Sequence, residues 1–353
     1  MMLIQFNSYK RFFLLFLSLT LFLSCKAGDY QFYLGTENDK DLIALFKLLE
    51  KADSEEEAQM EIHYTIMNRI ISRYKADGES DKMNLFLTDY INSHENDPYM
   101  AYYLLTIAEN YLNGGARAVA ETYYRRILYN YPDLIIGGHS IHKIILEELA
   151  YYSEDYEERI HSFLKLINRF PGQLDMGQIY YYLGKSYGEL GFWDEAFIAY
   201  ENFLRSPETE ITGDPNARIH LTDLLRFQRS DKSWTRTDLD QLVVNIRSLI
   251  YQRNGTKLKR YQAEKFFTMS WSQDETDLFT HTKLNIASFL NPGVQVKREL
   301  DPMSNDSEAF LRSWGWSYRI RTWYLYFKKI DYPADPEING RWEWAGIYIG
   351  DTF

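Results

Sequence analysis

The chain has 353 residues, 45% of them hydrophobic and 25% charged, with a formal charge of -11 and a single cysteine. That acidity argues against binding nucleic acid by phosphate neutralisation, and one thiol closes no intramolecular disulfide. The length suffices for two domains or one elongated array.

At the N-terminal end, Lys10-Arg11 precedes an apolar run from Phe12 to Leu23, followed by Ser24-Cys25. A bilayer-crossing helix needs about 20 apolar residues, so the run suits a signal peptide and falls short of a span. The sequence Phe22-Leu23-Ser24-Cys25 resembles the lipobox of bacterial lipoproteins, with Phe22 where leucine is usual, a relaxed form similar to spirochaete lipoboxes. The resemblance implies that residues 1–24 are removed, that Cys25 is the lipid attachment site, and that residues 25–39 form a tether. Several acyl chains hold such a protein on a leaflet, each buried CH₂ contributing about 0.8 kcal/mol. Lys26, where an inner-membrane lipoprotein usually carries Asp, favours the outer membrane, with the domain facing the periplasm or the cell surface. Loss of Lys10 and Arg11 with the leader makes the mature chain more acidic still.

Asp41–Lys51 reads as an amphipathic helix, with Leu42, Leu45, Phe46 and Leu49 on one side. Ser54 followed by Glu55, Glu56 and Glu57 marks a helix start, an N-cap residue with carboxylates in the first turn. Ile62–Tyr74 and Leu85–Ile91, the latter closed by Pro98, read as the two helices of a pair.

Two later segments then align with each other. Ile107-Ala108 is followed by Tyr111, Ala120, Tyr124 and Pro132, and Leu183-Gly184 by Tyr187, Ala196, Tyr200 and Pro207. The tyrosines and second alanine fall at the same offsets in both copies. The small residues allow two helices to cross closely, the tyrosines fill the volume around the crossing, and Asn113-Gly114-Gly115 and Leu190-Gly191 turn the chain. This pattern resembles the tetratricopeptide repeat (TPR), a 34-residue helix pair. It places units at about 101–134 and 177–210, with a degenerate unit at 140–173 in which Glu147 and Arg159 replace the small residues. The resemblance implies a groove lined by the first helices of successive units, here Tyr102 and Glu109, Glu148 and Tyr152, and Tyr181 and Lys185. An envelope protein or peptide is the expected partner.

After Pro207, Pro215–Gln228, with Asp214 as N-cap, and Leu239–Gln252 are the expected helices that cap the array. The array thus spans 40–254, and Asn254-Gly255 is the expected boundary. Residues 255–353 change character, with Trp314, Trp316, Trp342 and Trp344 among many tyrosines. Tyr318–Phe327, Trp342–Ile349 and part of Lys257–Trp271 read as strands, with loops at 302–308 and 332–340. Asp277–Leu290 suits strand or helix. The four tryptophans form either the core of this domain or a platform for sugar rings.

The fold class expected is mostly α: a TPR-like α-solenoid followed by a small β-rich domain. His139 and His142 lie three apart but complete no metal motif, and read as a solvated helix start. No catalytic, cofactor or metal site is expected, because no nucleophile, phosphate-binding or dinucleotide motif occurs. The function expected is a lipid-anchored cell-envelope scaffold, with cell-wall or glycan binding through the aromatic domain as the alternative.

Overall fold

The computed structural model describes residues 30–34, 39–52, 60–271 and 285–350. Cys25, the helix start at Ser54 and most of Asp277–Leu290 lie outside them. Twelve helices among these residues are followed by a small C-terminal sheet, and none of them is long and apolar enough to cross a membrane.

The chain divides into two compact units. The first holds α1 (Lys40–Ala52), α2 (Met60–Asp77), α3 (Ser80–Ser93), α4 (Met100–Asn113), α5 (Arg117–Asn130) and α6 (Ile141–Tyr152). Its core is continuous from Leu42 on α1 to Leu149 on α6. The second unit begins at Glu154 and takes most of α7 (Tyr156–Arg169), whose last residues go with the first unit. It continues with α8 (Met176–Glu189), α9 (Trp193–Leu204), α10 (Ala217–Arg229), α11 (Leu239–Tyr251), the short α12 (Gly255–Lys259) and the sheet.

The repeat pattern does the packing work assigned to it. Ala108, Ala120 and Ala196 are wholly buried, and Gly184 is buried on α8. A Cβ on Gly184 would stand 2.5 Å from the Tyr200 ring, so α8 and α9 approach as they do only because position 184 lacks a side chain. The two turns are built alike. Gly115 and Gly191 take left-handed φ values of 79° and 77°, and the amides of Ala116 and Phe192 bond back to the carbonyls of Tyr111 and Tyr187. Such a left-handed residue closes a helix by satisfying its last carbonyls.

Between α5 and α6 the chain inserts a two-residue hairpin, β1 (Ile135–Ile136) and β2 (His139–Ser140), turned by Gly137-Gly138, both at positive φ. This extra piece stretches the repeat spacing and is one physical reason that the unit at 140–173 reads as degenerate. His142 departs from its expected place. It is 4% exposed, with Nε2 3.1 Å from the Tyr131 carbonyl and Nδ1 2.8 Å from Arg169 Nη2, so it is a packed histidine rather than a solvated one. Ser140 caps α6, its hydroxyl accepting the Lys143 amide.

Helix α10 begins at Ala217, later than expected, and Asp214 does not cap it; its carboxylate accepts the Tyr181 hydroxyl at 2.8 Å. Helix α11 starts where expected, capped by Asp238. The boundary expected at Asn254-Gly255 falls within the second unit. Leu242, Val243, Ile246, Leu249 and Ile250 of α11 share one core with the sheet, and Asn254 caps α12 instead of opening a linker. Leu221 and Leu225 of α10 share a second core with Tyr200 and Phe203 of α9 and with Ile330, Tyr332 and Ile338.

The sheet consists of β3 (Gln262–Ser270), β4 (Gln295–Val296), β5 (Glu308–Trp314), β6 (Thr322–Lys329) and β7 (Trp342–Ile349), in the order β3-β7-β6-β5-β4. β3 runs parallel to β7, and the other pairs are antiparallel. Strands β3, β6 and β7 fall in the expected runs, and 332–340 is a loop. Strands β4 and β5 were not legible, because Glu308–Trp314 buries three successive residues and shows no clean alternation. Alternate residues face two cores: Trp323, Leu325 and Phe327 join α11, whereas Tyr324 and Tyr326 join Phe267 and Phe310. Of the four tryptophans proposed as a sugar platform, Trp316, Trp342 and Trp344 are buried, and only Trp314 is exposed. Trp316 stacks on Trp323 at 5.2 Å. The platform therefore loses three of its members to the core.

Replacing Gly184 with alanine must displace the buried Tyr200 ring, and a stability loss of about 1–3 kcal/mol is expected. Urea titration followed by far-ultraviolet dichroism measures it, and an unchanged midpoint would show that the α8–α9 crossing tolerates a methyl.

Candidate functional site

Helices α2 and α4 occupy equivalent places in successive helix pairs, and their facing residues meet in register. The Tyr102 hydroxyl donates to Asn68 Oδ1 at 2.7 Å. Two helical turns further along, Lys75 Nζ stands 3.6 Å from Glu109 Oε2. Partners in each pair are 34 residues apart, the length of one repeat, so equivalent positions of consecutive repeats touch. Tyr64 extends the surface, its ring stacked on Tyr99 at 4.3 Å and edge-on to Tyr102 at 5.4 Å. Burial, aided by neighbouring tyrosines, pushes the Tyr64 and Tyr102 hydroxyls above their ordinary pKa, so both remain O–H donors.

Glu148 and Tyr152 lie on α6, where Arg117 at the start of α5 reaches both. Its Nη1 is 3.5 Å from Glu148 Oε2, and its guanidinium lies 5.5 Å from the centre of the exposed Tyr152 ring. The hydroxyl of buried Tyr124 on α5 is pushed up to about 12, first by burial, then by the charges of Glu148 and Glu109. Tyr102 and Glu109 thus meet α2 from α4, and Glu148 and Tyr152 meet α5 from α6 through Arg117. The Lys75–Glu109 pair is half exposed, and such pairs contribute under about 1 kcal/mol, so a charged ligand displaces it at small cost.

Tyr181 and Lys185 lie on α8 in the second unit. Tyr181 is 6% exposed and its hydroxyl is committed to Asp214, with burial and then that carboxylate holding its pKa far above the ordinary value. It therefore serves the fold, and the surface at this point is left to exposed Lys185, whose Nζ lies 5.6 Å from the Tyr181 ring centre. Asn68, Lys75, Tyr64 and Arg117 were missed from the sequence. The first two were within reach, since stepping back one repeat length from Tyr102 and Glu109 leads to them.

Beneath this face, α2, α3 and the turn before α4 are joined by buried polar groups. The Tyr90 hydroxyl donates to Asp97 Oδ2 at 2.6 Å and lies 2.8 Å from His63 Nδ1, and the Tyr99 amide donates to Asp97 Oδ1 at 2.7 Å. Burial works to raise the Asp97 carboxyl. Hydrogen bonds with His63, Tyr90 and the Tyr99 amide outweigh it and hold the pKa below its usual value. The cluster sets the pitch between two successive repeats. No group of metal-ligating side chains occurs among the described residues.

Helix pairs in register, joined by glycine turns, define a helical-repeat protein. Residues 102–134, covering most of α4, all of α5 and the chain to Leu134, match the family model described as tetratricopeptide repeat. Among curated proteins, no match to the chain is found.

Because the folded-state pKa of Asp97 is depressed, its stabilisation is present above the unfolded-state value and is lost as pH falls through the folded-state value. Asp97→Asn is expected to cost about 3 kcal/mol near neutrality, by uncoupling a buried polar network. It should also flatten the loss of stability below about pH 4. Denaturant titrations in neutral and acidic buffer read both effects, and an acid limb as steep as the parent's would show that another carboxylate governs it.

Proposed function

We propose that this protein is a lipid-anchored scaffold of a bacterial cell envelope, which holds another envelope protein on the tetratricopeptide-repeat face of its first unit. The observation that carries the reading is the pairing of Asn68 with Tyr102 and of Lys75 with Glu109 across consecutive repeats. Side chains in that arrangement offer an extended peptide amide and hydroxyl partners next to a charge pair that exchanges readily, above stacked tyrosine rings. Tetratricopeptide repeats typically bind proteins and carry no chemistry of their own, so recognition is the function assigned. Glu109 and Glu148 with Tyr102 and Tyr152 make contact in this proposal.

The anchor rests on the lipobox-like sequence ending at Cys25, of relaxed, spirochaete-like form. Acylation there places the protein on a membrane without any spanning helix, and Lys26 supports an outer-membrane destination over an inner one. Growth with a labelled fatty acid should mark the parent and leave Cys25→Ala unlabelled and released from the membrane fraction. Label retained by that variant would remove the anchor.

For the partner face, Glu109→Lys should abolish most partner recovery after crosslinking in cells, and Lys185→Glu tests separately whether α8 also makes contact. Both side chains are exposed enough that helicity should be unchanged. Undiminished recovery with intact helicity would overturn the site.

A further inference from the structure

The segment from Ala309 to Ile330 carries Arg312, Arg319, Arg321, Lys328 and Lys329 and no carboxylate, in a chain whose formal charge is -11. It forms the β5–β6 hairpin, whose last strand pair is Trp314 with Thr322. Beyond that pair the tip itself carries Arg319 and Arg321 and no carboxylate, with Arg312 on the strand that leads to it and Lys328 and Lys329 at the far end of β6. It also exposes apolar surface: Trp314 is 44% exposed, Tyr318 fully exposed and Ile320 38% exposed, beside the exposed Arg319 and Arg321.

This tip is firmly built. Trp316, 3% exposed, points inward and stacks on Trp323, while its Nε1 donates to Ser313 Oγ at 2.8 Å. The Ser313 hydroxyl in turn donates to the Trp323 carbonyl at 3.0 Å. Gly315 has a φ of 86°, and a Cβ there would stand 2.1 Å from the Gly293 carbonyl oxygen, so the tip is seated against the Asn291–Val294 turn. Asn291 Nδ2 fixes that seat by donating to the Gly315 carbonyl at 2.9 Å. The Ile320 amide donates to Ser317 Oγ at 3.1 Å and closes the turn. One tryptophan thus locks the hairpin while its neighbour two residues away is held in water.

We infer that the β5–β6 hairpin tip docks on an anionic lipid bilayer surface. Indole and phenol rings favour the headgroup region because one end is apolar and the other polar. Arginines beside them are drawn to anionic headgroups, each contributing about fivefold in partitioning. A net-acidic protein is repelled by such a surface as a whole, so a local cationic aromatic tip is what orients it there. Because the turn is already ordered, docking costs little conformational entropy. The inference stands whether or not Cys25 is acylated.

Vesicle co-sedimentation tests it, using the full chain carrying Cys25→Ser so that no acyl chain contributes. Vesicles are either phosphatidylcholine alone or phosphatidylcholine with about one third phosphatidylglycerol. The combined Arg319→Gln and Arg321→Gln variant should lose about 30-fold in partitioning to the anionic vesicles. It should equal the parent on the neutral ones. Tyr318→Ser with Trp314→Ser should weaken binding to both kinds, and circular dichroism should be unchanged throughout. Equal partitioning of parent and arginine variant on anionic vesicles would overturn the proposal. So would an arginine effect confined to heparin or single-stranded DNA, which would make the tip a polyanion site.

Discussion

The close crossing of paired helices is the constraint on which the rest depends. At Gly184 the absence of a side chain brings α8 against the Tyr200 ring, and the buried Ala108, Ala120 and Ala196 mark comparable crossings. Interiors are packed as densely as organic crystals, so one methyl at such a point moves a whole helix. That spacing in turn decides which side chains of successive repeats meet. The Asn68–Tyr102 and Lys75–Glu109 contacts exist only because α2 and α4 keep the same pitch and direction. The candidate binding face is thus a consequence of packing behind it.

Burial sorts the aromatic residues into different jobs. In the first unit, Tyr90 and Tyr124 are core residues whose hydroxyls meet or sense charged groups, whereas Tyr64, Tyr99 and Tyr102 form a half-exposed floor. The sheet domain shows the same division between Trp316 and Trp314, neighbours with opposite exposure. Composition registers both members of each pair identically. Only the fold distinguishes a ring that fills volume from one that faces a partner.

What could be read from the chain followed local rules. The small-residue and tyrosine spacing gave both strong repeats, and the residues 102–134 matched by the family model lie almost where that spacing put them. The upstream pair was legible as another unit from its helices alone, although Tyr74 and Phe86 occupy the places of Ala108 and Ala120 one repeat earlier. Their rings lie 6.3 Å apart, so two large residues pack where two small ones were expected. Strand β5 and the allegiance of α11 were hidden because long-range partners decide them. Tyr181 seemed part of a surface for the same reason: its partner, Asp214, lies 33 residues away.

The core shared by α9, α10 and the chain at 330–338 carries one more implication. The buried stripe of α10 is taken up by α9 and the chain at 330–338, and that of α11 by the sheet, while Ile219 and Val244 stay exposed. Repeat arrays usually lengthen or shorten by gaining or losing whole copies at an end. Here the last long helix is finished by the sheet, so a chain cut at Asn254 would uncover Leu242, Ile246 and Ile250 instead of releasing a completed helical array.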